Sequence, residues 1–445
     1  MKRISLGAVY EAGLLAILLL VVLHAPISVW LGTIWPEQQT LIKAWKEILL
    51  AVLAIMAVVL ITKAKLWQKV IHTPVILLAI AYIDLHLIMA LVFGGEKVAL
   101  VAGLMIDLRF IVIFILMYIL VLLRPQSLRR IFMTTAVGAG IVIGFGLLQI
   151  TVLPDDALKY IGYSKYETIA PYITIDANSD YVRINSTLRG PNPLGALLVV
   201  YITLALAYLL ANYARAGVGR KTAAIGGSVA AAAVLFATYS RSAYGALVAS
   251  VAVLVASSVR VSKRIWIAAG IVAACMAGLL LVTAQTDWFS NVILHENPES
   301  TVTSKSNDEH VQSLRVGLQR IVAEPFGHGI GSTGSASLYD ANSSNDIIIE
   351  NYYFFVAHEV GWLGLLLFAG LFGYAMVQLW LRKRDWRAIG LFASGIGLAL
   401  IGLLLPVWTD DTVALVWWAL AGALLATPVV NTNRRSKKAL LQRVK

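Results

Sequence analysis

The chain has 445 residues, 59% of them apolar and 13% charged, with a formal net charge of +12. Soluble domains carry about 25% charged residues, so this balance, with a mean hydropathy of +0.79, excludes a soluble or disordered chain. It also excludes a secreted disulfide scaffold, because the single cysteine, Cys275, lies inside an apolar run and reads as packing.

Apolar runs of about 20 residues can cross a membrane as helices. They predict twelve spans, near 7–25, 47–62, 70–93, 104–123, 131–150, 193–213, 222–238, 243–258, 265–284, 352–380, 388–407 and 412–430. The expected fold is an all-α polytopic membrane protein. Residues 1–430 form one transmembrane domain, with external loops at 151–192 and 285–351 and a basic cytoplasmic tail at 431–445. The larger loop lies between spans 9 and 10. The first run opens Met1-Lys2-Arg3 like a secretory signal, but no small-residue cleavage pattern follows, so it is read as an uncleaved helix.

The positive charge would suggest nucleic acid in a soluble protein, so its distribution matters more than its size. The links at 63–69, 124–130, 214–221, 259–264 and 381–387, with the two termini, hold 24 of the 36 Lys and Arg residues. That bias predicts a cytoplasmic location for these links and for both termini, and leaves no role for nucleic acid.

The first long loop is polar and Tyr-rich and reads as a partly ordered external cap. The second contains an amphipathic stretch from His310 to Ala323, a Gly-rich turn from Phe326 to Ser332, and a helix-start loop at Asn342 to Asp346. Asp84, His86, Asp107 and Arg109 fall within apolar spans, where ionisable groups are costly unless paired or wetted. They read either as functional groups or as pairs joining helices.

Arg183, Arg189, Arg241, Arg315 and Arg320 cluster on the predicted external side, where arginine is otherwise scarce. Guanidinium forks bind phosphate oxygens bidentately, so three of them suit a diphosphate. Snorkelling at the interface is the structural alternative. The turn Gly327-His328-Gly329-Ile330-Gly331 lacks the Lys-Ser/Thr ending of a P-loop and is a weak phosphate signal. Glu350 and Asn351 precede an apolar run: Glu350 reads either as a helix cap or as a base for a sugar hydroxyl. Glu359 could hydrogen-bond into a neighbouring helix or loop, and Asp410-Asp411 reads as a short turn. The seven histidines show no metal-ligand spacing, so metal-free, cofactor-free chemistry is expected.

Four stretches together resemble the O-antigen ligase and polysaccharide polymerase superfamily. They are RINSTLRGPNPLG from Arg183, YSRSAY from Tyr239, RIVAEPFGHGIG from Arg320 and ENYYFFVAHEVGWLG from Glu350. The resemblance implies a glycosyltransferase of the bacterial inner membrane acting on a polyprenyl-diphosphate-linked glycan at the external face. By that resemblance Arg183, Arg189, Arg241 and Arg315 hold the diphosphate and Glu350, with Arg241, serves the reaction. Asn351, Arg320 and His310 position the acceptor or the loop. Ligases of this family place His before the Asn, whereas this chain has Glu350; the departure favours a polymerase over transfer to lipid A core. A transporter of lipid-linked substrate is the expectation from another class, since polytopic bundles with buried charge also serve transport.

Overall fold

The computed structural model describes residues 5–175, 178–257, 291, 306–340 and 348–429. The expected span at 265–284, the loop at Asn342 to Asp346 and the tail at 431–445 lie outside the described residues.

The chain enters through α1 (Leu6–Leu20), one 3-10 turn (Val21–Leu23) and α2 (His24–Ile34), which together make a 29-residue apolar rod. The expected end at residue 25 is therefore too early. Pro26 sits in the first turn of α2, where the missing N–H breaks no helical hydrogen bond, so the chain continues helically through it. There follow α3 (Gln39–Lys43), α4 (Trp45–Ala64), α5 (Trp67–Ile71), α6 (Pro74–Phe93), α7 (Lys97–Leu123) and α8 (Ser127–Thr151). The first long loop contains an antiparallel hairpin, β1 (Ile173–Ile175) with β2 (Asn178–Arg183), the one sheet among the described residues. Then come α9 (Pro191–Asn212), α10 (Val218–Phe236), α11 (Arg241–Ser257), α12 (Ser306–Ala323), α13 (Gly334–Ser337), α14 (Tyr352–Leu381), α15 (Trp386–Ile401) and α16 (Asp411–Leu425).

Among the described residues, seven helical segments are long and apolar enough to cross a membrane, and α11, α15 and α16 are shorter apolar helices of 10–17 residues. At 1.5 Å per residue α15 and α16 fall below the roughly 30 Å hydrocarbon thickness, while α11 reaches the edge of the described residues. The chain is a polytopic helical membrane protein, but twelve full-length crossings do not follow from it.

Lipid offers no hydrophobic drive for helices to associate, so close packing and polar contacts must hold the bundle. The centre is α16, whose residues are all buried. It lies against α7, and Trp408, Trp417 and Trp418 pack with Phe110, Phe114, Phe368 and Phe372 around it. The aromatic rings fill space that aliphatic side chains would leave as voids, and Trp417 Nε1 donates to Leu391 O at 3.2 Å. Around this axis α15 packs on α9 and α11, while α14 packs on α6.

α14 is broken at Val360 and Gly361, the latter with φ of 72°. A helix break frees backbone groups that lipid cannot satisfy. The Gly-rich turn fills it: His328 N donates to His358 O at 2.6 Å, Gly329 N to Glu359 O at 3.1 Å, and Trp362 N to Pro325 O at 3.0 Å. Gly331 N also donates to Glu359 Oε1 at 3.0 Å, which ties the turn to the buried carboxyl on α14. These amides are committed to closing the break, so the turn is a plug rather than a phosphate cradle.

A Cβ on Gly361 would lie 2.7 Å from the carbonyl carbon of Phe326, in a backbone conformation that non-glycine residues rarely adopt. Gly361→Ala is expected to cost about 2–4 kcal/mol from strain and overlap together. The check is folded yield and unfolding temperature in detergent; a variant indistinguishable from the parent contradicts the plug.

Candidate functional site

Arg183 ends β2 and is held by two bonds: Nε to Thr238 O at 2.8 Å and Nη2 to Asn192 Oδ1 at 2.7 Å. Burial lowers its pKa to about 10; Tyr244 opposes the shift and the neighbouring charge of Arg241 adds to it. The guanidinium stays protonated at neutral pH and gains from a negative partner. Arg241 begins α11 two residues after Tyr239, whose positive φ of 47° turns the chain sharply between α10 and α11. α9 reaches this corner because Gly195 has no side chain: a Cβ there would sit 2.7 Å from Cβ of Ala243. The stretch from Arg183 to Gly195 thus brings Arg183 against the start of α11.

Between them, the loop 184–190 is anchored to the bundle. Ser186 N donates to Gln149 Oε1 at 2.7 Å, Ser186 Oγ donates to Val142 O at 2.6 Å, and Leu188 N returns to Asn185 O at 3.0 Å. Pro191 then opens α9 with its φ already suited to the first turn. This fixes Arg189 above the end of the central helix. Its Nε donates to Asp410 Oδ2 at 3.1 Å, and Asp410 in turn caps α16 by accepting from Thr412 N and Val413 N at 3.0 and 2.9 Å.

Arg189 lies deep in the protein yet keeps 41% of its side-chain surface accessible, because it borders three cavities. Burial opposes its charge, Asp410 and Asp411 outweigh that penalty, and its pKa is raised. Among the described residues no hydrogen bond occupies its two Nη groups. The largest of the three cavities, about 320 Å³, is lined by Arg183 and Arg189 together, with apolar walls from Pro191, Ala196, Leu405 and Val413. Two forked cations over an apolar floor can hold an anionic head group on an apolar chain.

A buried charge network continues from Arg189. Asp411 pairs with His24 at 3.1 Å and Lys46 at 3.3 Å; Glu47 pairs with Lys46 and Arg109, both at 3.3 Å. Arg109 also donates to Thr409 O. Here a structural pairing accounts for Arg109, and Asp107 lines a cavity of about 70 Å³ beside Arg189. His24, Lys46, Glu47, Asp410 and Asp411 were not anticipated as site residues. An Asp pair directly before an apolar run is nevertheless a helix-start signature, so the Asp410-Asp411 signal was legible as a cap rather than as a turn.

On the neighbouring rim, His310 Nδ1 contacts Glu350 Oε2, and Glu350 N is held by Ser313 Oγ at 2.9 Å. The cap of α14 is Asn351, whose Oδ1 accepts from Tyr353 N and Phe354 N at 2.9 and 3.0 Å. Glu350 is therefore not the helix cap, and its carboxylate, 33% exposed, is left to His310. Asn351 also donates to Leu403 O at 2.8 Å, next to the wall of the arginine cavity.

The helical phase of α12 separates the remaining residues. His310, Ser313, Gly317 and Ile321 face the start of α14 and its break. Arg315 projects from the opposite side and is exposed, while Arg320 is half-buried near the α14 side. Arg183 and Arg189 line one cavity and Arg241 lies close enough to Arg183 to act on its charge, whereas Arg315 lines none of the cavities that Arg189 borders.

The fold and this polar end define a polytopic membrane protein with an arginine-lined cavity over an apolar floor. Residues 226–369 match the O-antigen ligase family model. The matched region holds Arg241, His310, Arg315, Arg320, Glu350 and Asn351, whereas Arg183 and Arg189 precede it. No curated protein matches the chain.

Proposed function

We propose that this protein transfers a glycan from a polyprenyl-diphosphate donor to a sugar hydroxyl at the external face of the bacterial inner membrane. Both termini lie in the cytoplasm in this reading. The observation that carries it is the pair Arg183 and Arg189 on one cavity of about 320 Å³ with apolar walls, with Arg241 beside Arg183. The diphosphate sits against these guanidinium groups and its prenyl chain follows the apolar wall toward lipid.

The acceptor oxygen attacks the anomeric carbon from the face opposite the diphosphate. The carbon–oxygen bond to phosphate breaks, its electron pair leaves with the diphosphate, and the acceptor proton passes to Glu350. Fixed cations stabilise the charge growing on the leaving oxygen without reorganising, and both reactants are held in line. One displacement inverts the anomeric configuration. The family description, O-antigen ligase, supports lipid A core as acceptor. Glu350 in the position where such ligases place His keeps a polymerase as the second reading.

Purified protein supplied with lipid-diphosphate-linked glycan and no nucleotide sugar is expected to glycosylate lipid A core, or to extend a second lipid-linked glycan. Release of free prenyl diphosphate should match product formation one to one. Absence of product with both acceptors, under conditions where the protein remains folded, contradicts the reading.

A further inference from the structure

Arg189 separates the arginine cavity from a second one, of about 220 Å³, that the transfer reading does not use. Its inner wall is the fixed pair of His24 and Asp411, joined to Lys46 at 3.2 and 3.3 Å. Ser28 lies on His24, with Oγ 3.1 Å from Nδ1. The outer wall comes from Gln39, Lys43, Glu167 and Thr168, contributed by α3 and the first external loop. Among the described residues the side chains of Gln39, Lys43 and Glu167 make no hydrogen bond or ion pair.

An amide, an ammonium and a carboxylate left uncommitted around one space offer both donors and acceptors, which is what a cluster of sugar hydroxyls requires. The same set disfavours other occupants. Glu167 and Asp411 offset the charges of Lys43 and Arg189, so no excess of positive charge is left for a second phosphate, and the uncommitted polar groups among Ala25, Val29 and Ile169 suit the mixed faces of a sugar better than a bare hydrocarbon chain. On the far side of His24 an apolar groove of about 340 Å³ runs between α2 and the corner of α3 and α4, lined by Ile27, Leu31, Leu41 and Trp45. The polar cavity and the apolar groove meet at His24. A molecule with a glycan head and an apolar tail fits the two together.

The geometry points to this pair of spaces as the acceptor site: the 220 Å³ cavity takes the terminal sugar of an acceptor carried on a lipid, and the groove takes part of its lipid. The inference rests on the proposed transfer reaction and extends it, putting donor and acceptor on opposite sides of Arg189. Both acceptors named above, lipid A core and a lipid-linked repeat unit, have this chemical form.

The test uses full-length protein in lipid nanodiscs and two variants: the double variant Gln39→Ala with Lys43→Ala, and Gly32→Phe, which fills the cavity from α2. Gln39 is half-buried and Lys43 exposed, so the double variant is expected to fold, and it keeps the assay interpretable where Gly32→Phe does not. Three readouts are taken: KM for whichever lipid-borne acceptor turns over in the unaltered protein, KM for the donor, and binding of farnesyl diphosphate as a probe of the arginine cavity. The expected result is an acceptor KM raised at least tenfold, with donor KM and farnesyl diphosphate binding unchanged. An unchanged acceptor KM overturns the acceptor site. A raised donor KM in its place also overturns it, making the cavity a donor-sugar site. Farnesyl diphosphate binding that is absent, or indifferent to Arg189→Ala, instead overturns the transfer reading on which the site rests.

Discussion

Arg189→Ala is expected to lower glycan transfer by about 10²–10³-fold, the usual cost of removing one preorganised donor from a developing negative charge. Arg189→Lys is the more informative change. An ammonium can still pair with Asp410, which is buried and also held by the amides of Thr412 and Val413. The folded protein should therefore survive, but the planar fork that reaches past Asp410 into the cavity is lost. The expected pattern is parent-like yield and unfolding temperature with turnover reduced about 10–100-fold, measured as product per folded protein. Equal losses of folding and turnover in the lysine variant indicate a structural ion pair and no role in the reaction.

Glu350→Gln is expected to reduce kcat by about 10²–10⁴-fold with little change in KM for the donor, the range associated with loss of a positioned general base. The amide is nearly isosteric, and the cap of α14 does not depend on it because Asn351 supplies that cap. Folding should be unaffected. His310→Ala removes the contact partner of Glu350, and the carboxylate then loses its fixed direction. A smaller fall in kcat, about tenfold, is expected there, again without a change in donor KM. Retention of full kcat in Glu350→Gln contradicts a proton-accepting role.

The long apolar runs were legible because an all-round apolar helix can be buried or face lipid without breaking its pattern; α9 lies within two residues of its expected bounds, while α7 begins seven residues before its expected start. The shorter helices were legible as apolar but not by length. α16 has 15 residues and sits wholly within protein, so it needs no match to bilayer thickness. The β1–β2 hairpin was missed because β1 is only three residues long and β2 is mostly polar, so neither carries an alternating apolar pattern long enough to read.

Of the site, the meeting of Arg183 and Arg189 on one cavity could be inferred from scarcity and position in the sequence. The key partner of Arg189 could not, since Arg189 and Asp410 are 221 residues apart. Arg315 shows the reverse failure. Its position in an amphipathic helix was readable, but only the packing of His310, Ser313 and Gly317 against α14 reveals which side Arg315 occupies. The Gly-rich turn and the Glu359-Val360-Gly361 step looked like separate features because nothing local shows that one closes the break in the other.

The central claim is that guanidinium groups of Arg183 and Arg189 grip a lipid diphosphate. Its most direct test is an electron cryomicroscopy structure of the protein in nanodiscs with undecaprenyl diphosphate added. Density for the two phosphates within hydrogen-bonding distance of both arginines, with the prenyl chain leaving along Pro191, Ala196 and Leu405, is the expected result. Diphosphate density bound elsewhere, with this cavity empty, contradicts the account.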